Sequence, residues 1–116
     1  MITDTEFIVA TDRILASIGA ALDAALETSD ADVDWNLNEG ILEIDCESGG
    51  KLIVNRHLQH REIWVAARAG GYHFKQVEGL WRDTRSGDEL GAKLVALVGA
   101  QAGLAVSMPS LAAPAT

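Results

Sequence analysis

The densest chemistry in the chain lies between residues 30 and 47, DADVDWNLNEGILEIDCE, where seven of eighteen side chains are carboxylates. Apolar and polar residues alternate on both sides of Asn38-Glu39-Gly40, which predicts a hairpin with Glu39 and Gly40 as its loop. In that register Leu37 meets Leu42, Trp35 meets Ile44 and Val33 meets Cys46 on one face. Asn36 meets Glu43, Asp34 meets Asp45 and Asp32 meets Glu47 on the other. A slip of one residue would destroy this segregation. Two carboxylate pairs then stand directly opposed and repel, although salt screens them. A bound cation or a basic partner surface would relieve the repulsion.

A second cluster is HLQHREIWVAARAGGYHF, residues 57–74, which holds all three histidines and Trp64. A zinc site would need three or four converging ligands. No ligand spacing repeats here, and Cys46 belongs to the apolar face of the hairpin, so the histidines read as polar surface residues. Cys46 itself sits among acids and apolar neighbours, a poor setting for a nucleophile. No phosphate-binding loop, G-x-S-x-G elbow or informative Ser/His/Asp spacing occurs. The chain reads as a non-enzyme with no catalytic residues.

The elements that must position these groups follow from periodicity. Residues 3–27 repeat apolar side chains at Phe7, Ile14, Ile18, Leu22 and Leu26. Thr3 and Glu6 form a capping-box pattern at the start of this helix. Gly19 weakens it by about 1 kcal/mol relative to alanine. After the hairpin come a Ser48-Gly49-Gly50 turn and four further strands: GGKLIVNRH, REIWVAAR, GYHFKQV and GLWRDT. A second helix is predicted over 86–104, with Ser86 and Glu89 as its capping box and Leu90, Leu94, Leu97 and Val98 as its stripe. The chain should form one domain over 1–107, with a loose tail over 108–116 after helical character fails before Pro109. Short turns imply antiparallel pairing. The fold class is therefore α+β: a two-layer α/β sandwich, with N- and C-terminal helices packed on one face of an antiparallel sheet of about six strands.

Charge narrows the partners. Of the formal net charge of −8, residues 1–50 carry −11 and residues 51–116 carry +3. Such a chain would repel phosphates, which argues against nucleic acid. It would attract cations or a basic protein surface. The longest apolar runs are far short of a bilayer span, the acidic start lacks a secretory pattern, and a single cysteine suits a reducing compartment. A cytoplasmic protein with no membrane partner is expected.

Within REIWVAAR, Ile63, Val65 and Ala67 belong to the helix-covered face. Glu62, Trp64, Ala66 and Arg68 belong to the open face. Trp64 is then either an exposed anchor for a protein partner or a member of a small surface cluster covered by neighbouring strands.

Several of these residues together resemble the bacterial frataxin (CyaY) family. They are Asn55-Arg56, Ile63-Trp64, Gly70-Gly71-Tyr72-His73-Phe74, Trp81 and Arg85-Ser86-Gly87, with DTEF and VDWNLNEGILEI earlier, and they span roughly residues 3–107. The resemblance implies an iron-binding protein of iron–sulfur cluster assembly. It would act as an iron donor or sensor, or as a regulator of a cysteine desulfurase–scaffold complex. It implies weakly bound Fe²⁺ or Fe³⁺ at surface carboxylates, carried over to Asp4, Asp23, Asp32, Asp34 and Glu47, with Glu27 and Asp30 in the same stretch. Trp64, Asn55 and Arg56 would meet the desulfurase and scaffold, together with acids such as Asp23 and Asp34. A monomer is expected, with oligomers dependent on iron. The acidic ridge is thinner than the family pattern, with Gly19, Ala20, Ala24 and Leu26 where acids are common. Glu62 replaces the usual glutamine and Gln59 a proline. The alternative is an acidic docking module that regulates a basic partner without binding metal.

Overall fold

A computed structural model describes residues 3–108. The first helix, α1 (Asp4–Leu26), begins where the sequence places it. Thr3 accepts from the Glu6 backbone N–H at 3.1 Å, and Glu6 accepts from that of Thr3 at 2.9 Å, closing the capping box. Six strands follow: β1 (Asp34–Asn38), β2 (Ile41–Asp45), β3 (Lys51–His57), β4 (Glu62–Ala67), β5 (Gly70–Val77) and β6 (Leu80–Asp83). They form one antiparallel sheet in sequence order. The hairpin register is the one read from the alternation, with Trp35 opposite Ile44 and Asp34 opposite Asp45. Its loop needs two positive φ values, 49° at Glu39 and 79° at Gly40, the signature of a tight two-residue turn.

The second helix, α2 (Leu90–Ala102), starts later than expected. Its N-cap is Glu89, whose carboxylate accepts from the Gly91 and Ala92 backbone N–H groups at 2.7 and 3.1 Å. Ser86 caps no helix; its hydroxyl accepts from the Asp88 backbone N–H in a local turn. That turn is held by the Asp83 carboxylate, which accepts from the Arg85 N–H at 2.8 Å. Gly103 ends α2 in the left-handed conformation. Leu104 and Val106 beyond it are buried in the core, so the chain stays anchored past the helix. Of the expected tail, residues 109–116 lie outside the described residues.

The core lies between the helices and one face of the sheet. Phe7, Leu15, Ile18 and Leu22 of α1 and Leu90, Leu94 and Val98 of α2 are fully buried against Leu42, Ile44, Leu52, Val54, Ile63, Phe74 and Trp81. Burial of each such side chain contributes about 1.5–3 kcal/mol. Phe7 meets Trp81 edge to face at 6.1 Å. Cys46 is buried with this set, where burial first and the Asp45 charge second push its thiol pKa up. The second face of the sheet is left to carry polar groups.

Candidate metal and docking surfaces

The first polar surface is the open end of the β1–β2 hairpin. Asp34 and Asp45 are exposed and directly opposed. Just beyond the strand ends, the Asp32 and Glu47 carboxyl groups are neighbours. Interaction with Asp32, hydrogen bonding first and its charge second, pushes the Glu47 pKa up from its ordinary value. Further along β2, Glu43 is already ion-paired with Lys51 of β3 at 2.7 Å.

The remaining acids divide by location. Asp23 is exposed on the last turns of α1 and accepts from the Trp35 indole Nε1 at 2.8 Å. The same indole lies against Gly19, where a Cβ would stand 2.6 Å from the ring. An acid at position 19 is therefore excluded by packing. Glu27 is the C-cap of α1, and Asp30 is exposed in the connection to β1. Asp4 is remote: nineteen residues along a helix place it about 28 Å from Asp23, and it is ion-paired with Arg61. The expected carboxylates thus fall into separate groups, with Asp32, Asp34 and Glu47 gathered at the hairpin end. Among the described residues no three His, Cys, Asp or Glu side chains converge into a cage.

The second surface is the open face of β3–β5. Trp64 is half-buried there. The His57 ring stacks on it from the β3 side, with centroids 3.8 Å apart and 14° between planes. His73 stacks from the β5 side at 4.3 Å and 6°. The indole Nε1 donates to Glu62 Oε1 at 2.8 Å, and His73 Nδ1 lies 3.7 Å from the same oxygen. Glu62, expected on the wet face, is covered by this stack and only 8% exposed. Asn55 is paired with Trp64 across the strands and belongs to this surface. Arg56 does not. It shares parity with buried Leu52 and Val54, packs over Gly40 and ion-pairs with Asp12 of α1.

Trp64 thus sits in a small surface cluster, covered on its sides by two imidazoles and half-buried on the open face. The convergence of the histidines on it was not foreseen. Parity places each residue on a face but says nothing of its neighbours on adjacent strands. The signal that could have found it is the short Arg68-Ala69 turn, which pairs Ala67 with Gly70 and hence Trp64 with His73.

Comparison with known proteins fits this architecture. A family model described as a Frataxin-like domain matches residues 1–104. The chain belongs to the frataxin-like family. Among its relatives is the iron-sulfur cluster assembly protein CyaY of Burkholderia mallei, 41% identical over 90% of this chain and 96% of that protein. The protein of the same name from Cupriavidus pinatubonensis is 40% identical over 92% and 96%. The frataxin of Psychromonas ingrahamii superposes with a TM-score of 0.82 at 32% identity, covering 91% of this chain and 97% of that one. Trimeric yeast frataxin, crystallised in a ferrous complex, superposes at 0.72 with 22% identity over 81% and 86%, a likeness of fold alone. The frataxin-like fold expected from the residues is thus the fold observed. No helix among the described residues is long and apolar enough to cross a membrane.

Proposed function

We propose that this frataxin-like chain acts in iron–sulfur cluster assembly, the role for which its CyaY relatives are named. In this reading it holds Fe²⁺ or Fe³⁺ loosely at surface carboxylates and docks on a cysteine desulfurase–scaffold complex, as iron donor or sensor or as regulator. It is a cytoplasmic protein and not an enzyme. The observation that carries the metal half is the gathering of carboxylates at the hairpin end, where Asp34 and Asp45 are directly opposed and the neighbouring Asp32 pushes the Glu47 pKa up. A hard cation can neutralise several of these carboxylates at once. With few protein ligands and the rest water, such a site binds weakly and releases readily. The docking half is supported by the Trp64–Asn55 surface, a large aromatic on an open sheet face.

A second reading, an acidic docking module without metal, is favoured by the absence of three convergent ligands among the described residues. An NMR titration of the labelled protein separates the two, first with Fe²⁺ under anaerobic conditions and then with purified cysteine desulfurase. Iron-induced broadening at Asp32, Asp34 and Glu47, abolished by Asp32→Asn/Glu47→Gln, supports the metal site. Silence with iron, together with salt-sensitive shifts at the acids and Trp64 on adding desulfurase, would leave only the docking module.

A further inference from the structure

The loop between β3 and β4 places two imidazole nitrogens face to face: His57 Nδ1 and His60 Nδ1 are 2.9 Å apart. In the metal-free protein this contact is a hydrogen bond in which one ring must donate and the other accept. Both partners are held from behind. The His57 ring is clamped on the Trp64 indole. The turn carrying His60 is closed by two bonds to the Leu58 carbonyl, from the Arg61 backbone N–H at 3.2 Å and the Arg61 guanidinium at 2.8 Å. Arg61 adopts a positive φ of 53°, ion-pairs with Asp4 and lies over the Phe7 ring, which staples this loop to the start of α1.

We infer that His57 and His60 form a two-point chelate for a nitrogen-preferring divalent cation of the Cu²⁺ or Ni²⁺ class. The ligand type decides the class. With metal–nitrogen bonds of about 2.0–2.1 Å, a right angle at the metal separates the two nitrogens by about 2.9 Å, whereas a tetrahedral angle needs about 3.3 Å. Imidazole nitrogens suit Cu²⁺ and Ni²⁺, with Cu²⁺ at the top of the divalent affinity order, and the 2.9 Å contact already brings both rings within reach of one such ion. Turning each ring directs its Nδ1 lone pair from the other nitrogen to a shared cation. His60 is exposed, so water can fill the remaining positions. Binding displaces the proton between the rings and leaves the His57 stack on Trp64 intact, because the lone pair lies in the ring plane. The site uses nitrogen ligands on the open sheet face and is independent of the carboxylates proposed above for iron.

Two tryptophans report the two surfaces separately. The Trp64 indole lies on the histidine pair, and the Trp35 indole lies on Asp23 among the acids. Paramagnetic Cu²⁺ added alone to protein labelled at the indole nitrogens should erase the Trp64 Nε1 signal first, leaving that of Trp35 at substoichiometric metal. His60→Gln should weaken this response at least tenfold, while His73→Gln, which removes the other stacked imidazole, should leave it in place. The electron spin resonance spectrum of the copper adduct should show coupling to two imidazole nitrogens. Selective loss of Trp64 that survives His60→Gln, or first broadening at Trp35, would overturn the assignment. Amide spectra of each variant confirm that the exposed substitutions leave the fold intact.

Discussion

Replacing Gly19 with alanine should destabilise the protein, although it removes a poor helix former from the middle of α1. Helix propensity alone would favour alanine by about 1 kcal/mol. Against this, the new Cβ would stand 2.6, 2.8 and 2.9 Å from the Cη2, Cζ2 and Cζ3 atoms of Trp35. Ordinary carbon contacts lie at about 3.5–4.0 Å, so the indole must retreat by about 1 Å. The ring is rigid and tethered by its Nε1 bond to Asp23. Over-packing of this kind costs about 1–3 kcal/mol, and strain on a bond to a carboxylate adds about another 1 kcal/mol. The net loss should be about 1–3 kcal/mol. For a chain of this size each kcal/mol lowers Tm by about 4 °C, measured by thermal and urea denaturation followed by circular dichroism. The background variant Trp35→Leu makes the test sharper. Without the ring, Gly19→Ala should raise stability by about 1 kcal/mol, so the sign reverses. If alanine acts in the same direction with and without the indole, the steric explanation is wrong.

Three further outcomes can be checked. Because the Glu47 pKa is raised in the folded protein by Asp32, its contribution favours the fold in acid and is lost as pH rises through that raised value. Glu47→Gln should therefore gain stability relative to the parent between mild acid and neutrality, and a pH-independent difference in urea midpoints would contradict this. Cys46, buried and with its thiol pKa raised, should react with a disulfide reagent only as fast as the protein opens. Rapid stoichiometric labelling of the folded protein would place the sulfur outside the core. Glu89→Ala should cost about 1 kcal/mol through loss of the α2 cap, and Ser86→Ala clearly less; the reverse order in Tm would return the cap to Ser86.

The hairpin was legible because two constraints acted together: a glycine turn set the loop, and alternation left one register that segregates the faces. The start of α1 was legible because a capping box is local. The same pattern misled at α2, since Ser-x-x-Glu is also what a serine-closed turn followed by a capping glutamate looks like. Deciding between them needs Asp83, which organises that turn from the end of β6. Arg56 left its expected surface because its partner, Asp12, is 44 residues away. Glu62 became buried for a related reason, since its cover comes from two other strands. Contacts of this kind follow from strand register, which a reading of one strand at a time does not supply.

The sheet begins at β1, so that strand lies on its rim with one row of backbone donors and acceptors unmatched by any other strand of the sheet. Such a rim is a template on which a second molecule can add its own strand. Asp34 lies on that strand and Asp32 just ahead of it, and their charges discourage a newcomer. The guard is conditional, because protons or a metal ion that neutralise these carboxylates also lift the repulsion. Solubility at this edge is thus tied to what the carboxylates carry, and loading them would move the chain toward self-association along its first strand.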